Sequence, residues 1–453
     1  MPTSSPSSSS SFEVKDVVVV NEAKAKTPIR TGIGFFDHML DQWNSHAQVG
    51  VGLEVVLQSE NSAQNESEST DDDRNRLATK NQVELCTQVG QALGLALKQV
   101  FNSVATSTTK NEARFSCPLD EALVECIISG TDEEGTGKLE KYTLSPYGIY
   151  PKGVGRTNIG KLETFAIESF WEALAKSSNL QISFRKLRGD NGHHIVESSF
   201  KAFSRALRNY LDPPDLWEQG SPNDLASVAL KREGKVERQT KETCISVNLM
   251  LNGMSKDTHV ETGIPMLNAF YTTLAQEAHM TLRIDCKGDL FVDEHHTAED
   301  VSIAVGQCLT QALGSKAGLN RMWVAEATHD GSTSSKVQVT MDLSNRPCLV
   351  HNLHDTLGRQ EYVDEKSDDL EETLEGSLLT CEMLEHSLES LVMNGRMTVH
   401  IVESKMEGTS APASVEDVVL CTAMAFGRAL RVCSMVDQRR AGTTASSKGT
   451  LSV

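Results

Sequence analysis

Two adjacent histidines and a glutamate form a candidate metal-binding pattern beyond the middle of the chain. His295 and His296 are followed by Glu299 in the segment VDEHHTAED, residues 292–300. If a helix begins here, His295 and Glu299 lie one turn apart, and the two imidazoles diverge by about 100° around the helix axis. Adjacent histidines therefore suit two different metal ions better than one. Because three side chains are too few for two ions, further ligands must lie elsewhere in the sequence.

The same pattern occurs earlier in the chain, in the segment GHHIVE. It contains His193, His194 and Glu197, again at the start of a predicted helix. A lone histidine at a helix start is more often a capping or surface residue than a ligand, but the recurrence of the whole pattern favours a metal site. Nitrogen and oxygen ligands without a thiolate argue against structural zinc. They suit Mn²⁺, with Fe²⁺, Co²⁺ or Zn²⁺ as substitutes.

Three pairs of similar segments, in the same order, indicate that the chain is a tandem duplication. The pairs are TGIGFFDHML and TGIPMLNAFY, VGQALGLAL and VGQCLTQAL, and FKAFSRALR and AMAFGRALR, at offsets of 231, 216 and 223 residues. The predicted segments are a disordered tail at 1–11, copy 1 at 12–212 with an acidic insertion at about 58–76, a linker at 213–233, and copy 2 at 234–453.

Each copy mixes two kinds of hydrophobic periodicity. Alternating segments such as CISVNLML and KVQVTMDL predict half-buried strands, whereas EDVSIAVGQCLTQALG has the apolar spacing of a helix. The predicted fold class is therefore α+β.

The composition is that of an acidic globular protein with 453 residues and a formal net charge of −19. This charge argues against nucleic acid or an anionic membrane as a general partner, and an anionic substrate would need a local group of basic side chains. The ten cysteines contain no Cys-x-x-Cys pair, which favours free thiols in a reducing compartment. No apolar run is long enough to span a membrane. We expect a cytoplasmic protein, or a plastid protein if a leader peptide has been removed.

Four segments resemble the signature blocks of the imidazoleglycerol-phosphate dehydratase family. They are TGIGFFDHMLDQ, GDLFVDEHHTAEDV, GHHIVESSFKAFSRALR and SSKGTL, and the resemblance covers both copies. It implies a hydro-lyase of histidine biosynthesis with a dinuclear manganese site, which converts imidazole glycerol phosphate to imidazole acetol phosphate and water. It also implies that each copy is a doubled ribosomal-protein-S5-domain-2-like unit, with helices sandwiched between β-sheets, and that the chains form a large homo-oligomer.

The resemblance implies eight metal-ligand positions, and each is filled in only one copy. Copy 1 supplies His38, His193, His194 and Glu197. Copy 2 supplies His295, His296, Glu299 and His400. The matching positions of the other copy hold Ala269, Glu416, Asp417 and Leu420, and Thr79, Lys80, Val83 and Ser183. Neither copy alone can bind two metal ions, so we expect one composite site of two ions that uses both copies.

The family resemblance also implies residues that act on the substrate. The candidates for phosphate and substrate binding are Gln42, Lys201, Arg321, Arg346, Ser446 and Lys448. Glu197 and Glu242 are the candidates for proton transfer, with the roles of acid and base left open.

Two other interpretations remain at this stage. The chain could be a catalytically inactive assembly or regulatory paralogue that keeps the fold, or a metal-binding protein of unrelated function. The division of ligands favours the enzyme, because decay without selection would leave some positions filled in neither copy. The sequence leaves open the number of chains in the assembly, and whether the two ligand sets meet within one chain or between chains.

Overall fold

The computed structural model describes residues 12–22, 25–57, 81–103, 111–131, 135–213, 216, 232–252, 255–328, 335–364, 378–405, 413–444, 446 and 451. The predicted tail, the acidic insertion and most of the predicted linker lie outside these residues, so the domain boundaries stay predictions. In the described part of the chain, no helix is both long and apolar enough to cross a membrane.

The chain folds into two compact units. Unit 1 consists of Met1–Ser116 and Ala122–Leu216, and unit 2 of Cys117–Glu121 and Trp217–Val453. The segment Cys117–Glu121, which contains the end of β4 and the turn before β5, therefore belongs to unit 2, whereas the rest of β4 and all of β5 belong to unit 1.

Unit 1 contains two main sheets and four helices among its described residues. The sheets have the strand orders β1–β3–β2 and β4–β5–β9–β6, and β7 and β8 form a small hairpin. The strands are β1 (Phe12–Val20), β2 (Ile29–Arg30), β3 (Gly50–Leu57), β4 (Glu112–Leu119), β5 (Ala122–Gly130), β6 (Lys138–Thr143), β7 (Asn158–Ile159), β8 (Leu162–Glu163) and β9 (Leu180–Arg188). The helices are α1 (Gly34–Ala47), α2 (Gln82–Ser103), α3 (Ala166–Ser178) and α4 (Gly192–Leu211).

Unit 2 repeats this arrangement with two four-stranded sheets. Their strand orders are β10–β11–β13–β12 and β14–β15–β17–β16. The strands are β10 (Glu233–Gln239), β11 (Thr243–Met250), β12 (His259–Glu261), β13 (Thr281–Gly288), β14 (Met322–Ala327), β15 (Ser335–Asp342), β16 (Cys348–His351) and β17 (Thr398–Lys405). The described α-helices are α5 (Pro265–Glu277), α6 (His295–Leu313), α7 (His354–Leu357), α8 (Cys381–Gly395) and α9 (Val415–Ser434).

The helices of each unit lie between its sheets. In unit 2, α6 packs on the first sheet and α9 on the second, while α6 pairs with α8 and α5 with α9. In unit 1, α2 packs on β1 and α4 on β5, while α2 pairs with α3 and α1 with α4. The predicted α+β class is confirmed, because each amphipathic helix buries its apolar face against a sheet or a partner helix.

A cluster of aromatic side chains fills the core of unit 1. The Trp171 ring lies 4.6 Å from the rings of Phe184 and Phe200 and 4.8 Å from the ring of Phe203, measured between centroids. All four side chains are fully buried. Burial of each such ring stabilises the fold by about 1.5–3 kcal/mol, so this cluster fixes α4 against the sheet through β9.

The two units begin their equivalent helices α1 and α5 in the same way. The backbone N–H and the hydroxyl of Thr31 both donate to Asp37 Oδ1, at 2.7 and 2.6 Å. Thr262 makes the same two hydrogen bonds to Asn268 Oδ1, at 2.9 and 2.6 Å. This pair of hydrogen bonds fixes how the chain enters each helix. It thereby fixes the position of the residue that follows Asp37 or Asn268, which is His38 in α1 and Ala269 in α5.

Matching glycines allow close packing of helices in both units. A Cβ added to Gly90 on α2 would lie 2.3 Å from the carbonyl oxygen of Phe170 on α3. A Cβ added to Gly306, the matching residue on α6, would lie 2.8 Å from the carbonyl oxygen of Leu391 on α8. Both distances are shorter than a carbon–oxygen contact allows, so each helix pair depends on a residue without a side chain.

We predict that Gly90→Ala destabilises the protein by about 1–3 kcal/mol, because the two helices must move apart. Gly34→Ala is the matched control. Apart from its chain neighbours and the backbone of its own helix, no atom lies within 4 Å of a Cβ built at Gly34, which is exposed at the first position of α1. That change should be neutral or stabilise by up to about 1 kcal/mol. Denaturant-induced unfolding of the three proteins measures the difference. Equal unfolding midpoints for Gly90→Ala and the wild type would contradict this account of the packing.

Candidate metal centre

Three predicted ligands of copy 1 come together in unit 1. His38 lies on α1, whereas His193 and Glu197 lie on the first turns of α4, and the three possible ligand atoms are within 4.8 Å of one another. Nε2 of His193 is 3.1 Å from Glu197 Oε2, and Nε2 of His38 is 3.8 Å from the same oxygen. Because these donors are imidazole nitrogens and a carboxylate oxygen, the group can hold a divalent transition-metal ion.

The start of α4 is fixed by a local cap. The Asn191 side chain accepts a hydrogen bond of 2.9 Å from the backbone N–H of His193, which leaves His193 and His194 on the first turn. The rings of the two histidines are 6.1 Å apart at 82° to one another. His194 therefore does not join the group formed by His38, His193 and Glu197, as the predicted divergence of adjacent histidines requires.

A buried ion pair controls the charge of Glu197. Nζ of Lys201 lies 2.6 Å from Glu197 Oε1, and both side chains are largely buried. Burial alone raises the pKa of the Glu197 carboxyl, but the Lys201 ammonium and hydrogen bonds from His193 and His38 outweigh it, so the pKa lies far below its usual range. Gln42, a predicted substrate contact, is also buried here, with Nε2 3.3 Å from Nε2 of His38.

A second group of ligands forms in unit 2. His295 is the first residue of α6, and its Nε2 lies 3.7 Å from Glu299 Oε2. The third member is His386 on α8, whose Nε2 lies 3.3 Å from Glu299 Oε1 and whose ring is 5.6 Å from the ring of His295. His386 is absent from the predicted ligands, because no local pattern marks the segment LEHSLES. The sequence signal for it is only that helices α6 and α8 both contain histidine.

His296 points away from this group and has its own acidic partner. Its ring is 5.9 Å from that of His295, at 78°. Its Nδ1 lies 3.2 Å from a carboxylate oxygen of Asp289, and this hydrogen bond raises the pKa of His296 above its usual value. The charge of Glu242, a predicted proton-transfer residue, acts in the same direction. Asp289 fixes the ring through Nδ1 and so presents Nε2, which is how acidic partners commonly orient a metal-binding histidine.

The last predicted ligand, His400, is buried in β17. It pairs with Thr340 of β15 and Val350 of β16. Within unit 2, its Nε2 lies 2.7 Å from the carbonyl oxygen of Asp120. Since a carbonyl only accepts, Nε2 carries the proton, and the lone pair of the neutral ring is on Nδ1.

The two predicted phosphate-binding arginines of unit 2 are held by carboxylates. Nε and Nη2 of Arg321 donate to Asp342 at 2.7 and 2.8 Å, in a pair that is almost fully buried. Nη1 of Arg346 lies 3.4 Å from Asp120 Oδ2. Ser446 lies near the end of the described chain, and Lys448 is outside the described residues.

The positions without ligands have ordinary structural environments. Asp417 lies in the first turn of α9, where its backbone N–H donates to the capping residue Ser414 at 3.0 Å. Leu420 and Ala269 pack against the hydrophobic core of unit 2. Ser183 takes the place of His400 in β9 and pairs with Ile127 and Lys141. Val83 is half-buried on α2, whereas Thr79 and Lys80 lie outside the described residues.

The cysteines take no part in either group. All ten are free thiols, eight of them buried, and burial raises the pKa of several, including Cys86 to about 12. A neutral buried thiol is a poor metal ligand, so the ligand chemistry is that of nitrogen and oxygen.

Comparison with known proteins points to one family. A family model described as "Imidazoleglycerol-phosphate dehydratase" matches residues 78–207 and 262–430. The chain is 37% identical over 228 residues to the imidazoleglycerol-phosphate dehydratase of Neisseria gonorrhoeae, covering 50% of this chain and 67% of that protein. It is 34% identical over 232 residues to imidazoleglycerol-phosphate dehydratase 1, chloroplastic, of Arabidopsis thaliana, covering 51% and 76%.

In two further comparisons, about half of this chain aligns with nearly the full length of a relative. The enzyme of that name from Marinobacter nauticus is 34% identical over 221 residues, which is 49% of this chain and 99% of that protein. The crystal structure of the Staphylococcus aureus dehydratase aligns with 22% identity and a TM-score of 0.35, over 45% of this chain and 99% of that chain. With family-model matches in two successive segments that together span more than half of its residues, this chain belongs to the imidazoleglycerol-phosphate dehydratase family.

Proposed function

We propose that this chain is an active imidazoleglycerol-phosphate dehydratase, a hydro-lyase of histidine biosynthesis. It converts imidazole glycerol phosphate to imidazole acetol phosphate and water. The observation that carries the proposal is the complementary division of the ligands: every expected position is filled in one copy and none in both. An inactive paralogue would have no need to keep eight ligands at eight positions.

The metal centre is proposed to contain two Mn²⁺ ions and to draw ligands from both copies. The groups around Glu197 and around Glu299 support this, because each brings imidazole and carboxylate donors together without the full set that two ions need. Other divalent ions can replace Mn²⁺ at such ligands. When bound, the ions would act as Lewis acids toward the imidazole ring of the substrate.

The reaction expels the hydroxyl of the carbon next to the ring as water and removes the proton of the following carbon, which keeps its own hydroxyl. The enol product then becomes the ketone. Glu197 is suited to act as a ligand or base and unsuited to act as an acid, because Lys201 and its histidine neighbours keep it ionised. Glu242 is an exposed carboxylate in the turn between β10 and β11, and its negative charge helps to raise the pKa of His296. It is the second candidate for proton transfer.

The phosphate of the substrate is proposed to bind Lys201, Arg321, Arg346, Ser446 and Lys448, and Gln42 is proposed to orient the substrate. These basic side chains would supply local positive charge in a chain of net charge −19. A large homo-oligomer and a cytoplasmic or plastid location remain predictions. The Arabidopsis and pea relatives are named as chloroplastic.

We predict that His194→Ala and His296→Ala each lower turnover by more than about 100-fold, because changes outside the ligands of a metal site already cost about 10- to 100-fold. Asp417→Ala is the matched control, since Asp417 occupies in copy 2 the position of His194 in copy 1. It should retain activity within about twofold. The measurement is formation of imidazole acetol phosphate with added Mn²⁺. An inactive wild type would contradict the proposal that the chain is an active dehydratase. Equal losses of turnover in all three variants would contradict the proposed division of ligands between the copies.

The metal content tests the number of centres. Each chain should bind two Mn²⁺ ions, since eight ligands suffice for one dinuclear centre. Elemental analysis of protein loaded with Mn²⁺ and passed through a gel-filtration column measures the ratio. A value near four would mean that the positions without expected ligands still bind metal.

The two capping residues provide a test of how α4 positions its histidines. Asn191→Ala and Ser414→Ala remove the equivalent caps of α4 and α9, and each should cost about 1 kcal/mol of stability. Only Asn191→Ala should also weaken Mn²⁺ binding, because α4 carries predicted ligands in its first turn and α9 does not. Unfolding curves and Mn²⁺ titrations compare the pair. Similar metal affinities in the two variants would argue against His193 and His194 as ligands.

A further inference from the structure

A third group of metal-ligand side chains lies on unit 2 and has no part in the proposed reaction. His351 is the last residue of β16, His354 the first residue of α7, and Glu385 lies on α8. Nε2 of His351 is 3.3 Å from Glu385 Oε1, and Nδ1 of His354 is 3.5 Å from Glu385 Oε2. The possible ligand atoms lie within 4.8 Å of one another, and the two rings are 4.6 Å apart.

The turn that carries the two histidines is held rigidly. The side chain of Asn352 donates to the backbone carbonyl of Glu403 and accepts from its N–H, at 3.0 and 2.8 Å. The hydroxyl of Thr356 lies within 2.9 Å of both carboxylate oxygens of Glu403. Leu353 and Leu357 are buried in the core. The backbone that carries His351 and His354 is thereby anchored, so little backbone entropy is lost when the two side chains bind one ion.

The three side chains differ in exposure in a way that suits an ion bound at the surface. Only 7% of the His351 side chain is exposed, against 66% for His354 and 41% for Glu385. One ligand is therefore fixed in the protein interior, while the other two face solvent and leave room for water on the ion. Two imidazoles and one carboxylate with an open position form a donor set that transition-metal ions accept.

The hydrogen bonding of His351 sets a small cost for binding an ion at Nε2. The backbone N–H of Leu353 donates to His351 Nδ1 at 3.3 Å, so in the neutral ring Nε2 carries the proton. An ion bound at Nε2 would move that proton to Nδ1 and break this long hydrogen bond, at a cost of about 1 kcal/mol. Mn²⁺ binds nitrogen ligands least tightly of the first-row divalent ions, and Cu²⁺ and Zn²⁺ bind far more tightly. At two imidazoles and one carboxylate, Zn²⁺ should therefore bind more tightly than Mn²⁺.

The third group is separate from the candidate centre but adjacent to it along α8. Glu385 faces His351 and His354, whereas the next residue, His386, faces His295 and Glu299. Consecutive residues of a helix point about 100° apart, so one ion cannot use both.

We propose that His351, His354 and Glu385 form an accessory binding site for one Zn²⁺ ion on unit 2. The test is equilibrium dialysis of the full chain against a range of free Zn²⁺ concentrations, followed by elemental analysis. Three proteins are compared: the wild type, His354→Ala, and His259→Ala as the matched control. His259 is an exposed histidine of the same unit, and its Nε2 lies 3.7 Å from Asp285 Oδ1. It belongs to none of the three groups.

The expected result is one bound Zn²⁺ fewer per chain in His354→Ala than in the wild type, and no change in His259→Ala. Zn²⁺ that enters the catalytic ligands is counted equally in all three proteins, so the difference isolates the accessory site. Glu385→Gln, which keeps the side-chain size, should show the same loss and guards against misfolding of one variant. Equal Zn²⁺ content in the wild type and His354→Ala would overturn the proposal. So would a loss of two ions, which would mean that the site is not separate.

Dehydratase activity with Mn²⁺ should be unchanged in His354→Ala. The Zn²⁺ difference can be read whether or not the wild type is active, so the two proposals fail independently. A drop in Mn²⁺-dependent activity in His354→Ala beyond that in His259→Ala would also count against a separate site.

Discussion

The two oxygens of the Glu197 carboxylate face different partners, and the candidate centre of unit 1 depends on that division. Oε1 lies 2.6 Å from Nζ of Lys201, while Oε2 faces Nε2 of His193 and of His38. A metal ion on the histidine side can therefore share Oε2 while Lys201 stays on Oε1 and fixes the carboxylate. Lys201 is thereby placed to orient the Glu197 carboxylate.

Copy 2 lacks this buried charge pair as a whole. Leu420 stands at the position of Glu197 and Met424 at that of Lys201, and both pack against the hydrophobic core. Loss of one partner alone would leave a buried charge at a cost of about 3–5 kcal/mol, whereas replacement of both by apolar residues is about neutral or stabilising. The cost of burying an unpaired charge thus gives a physical reason why a ligand and its charged partner are missing from the same copy. The hydrogen bond from Thr262 to Asn268 at the start of α5 carries no such charge, and it remains.

Local spacing predicts the parts of the site that depend on one helix, and it misses those that depend on two elements. The start of α6 at His295 and of α4 at Gly192 follow from the His-His-x-x-Glu pattern and the preceding residues. His386 reaches Glu299 only because α8 packs on α6, and no sequence period specifies that contact. Alternating and helical periods likewise give the α+β class, but the order β14–β15–β17–β16, which buries His400, depends on pairing between distant segments.

The two arginines expected at the phosphate differ in how deeply their ion pairs are buried. Arg321 and Asp342 form a bidentate pair in which neither side chain is more than 5% exposed, so exchange of partners would leave a buried carboxylate without its cation. The Arg346–Asp120 pair is longer, at 3.4 Å, and both side chains are about one-third exposed, so its contribution is about 0–1 kcal/mol and a phosphate can compete for the guanidinium. In an acidic chain, the basic residue that can change partners is the one able to meet an anionic substrate. Arg346 is therefore better suited than Arg321 to exchange its carboxylate partner for the phosphate, because the Arg321–Asp342 pair is buried and its charges largely cancel.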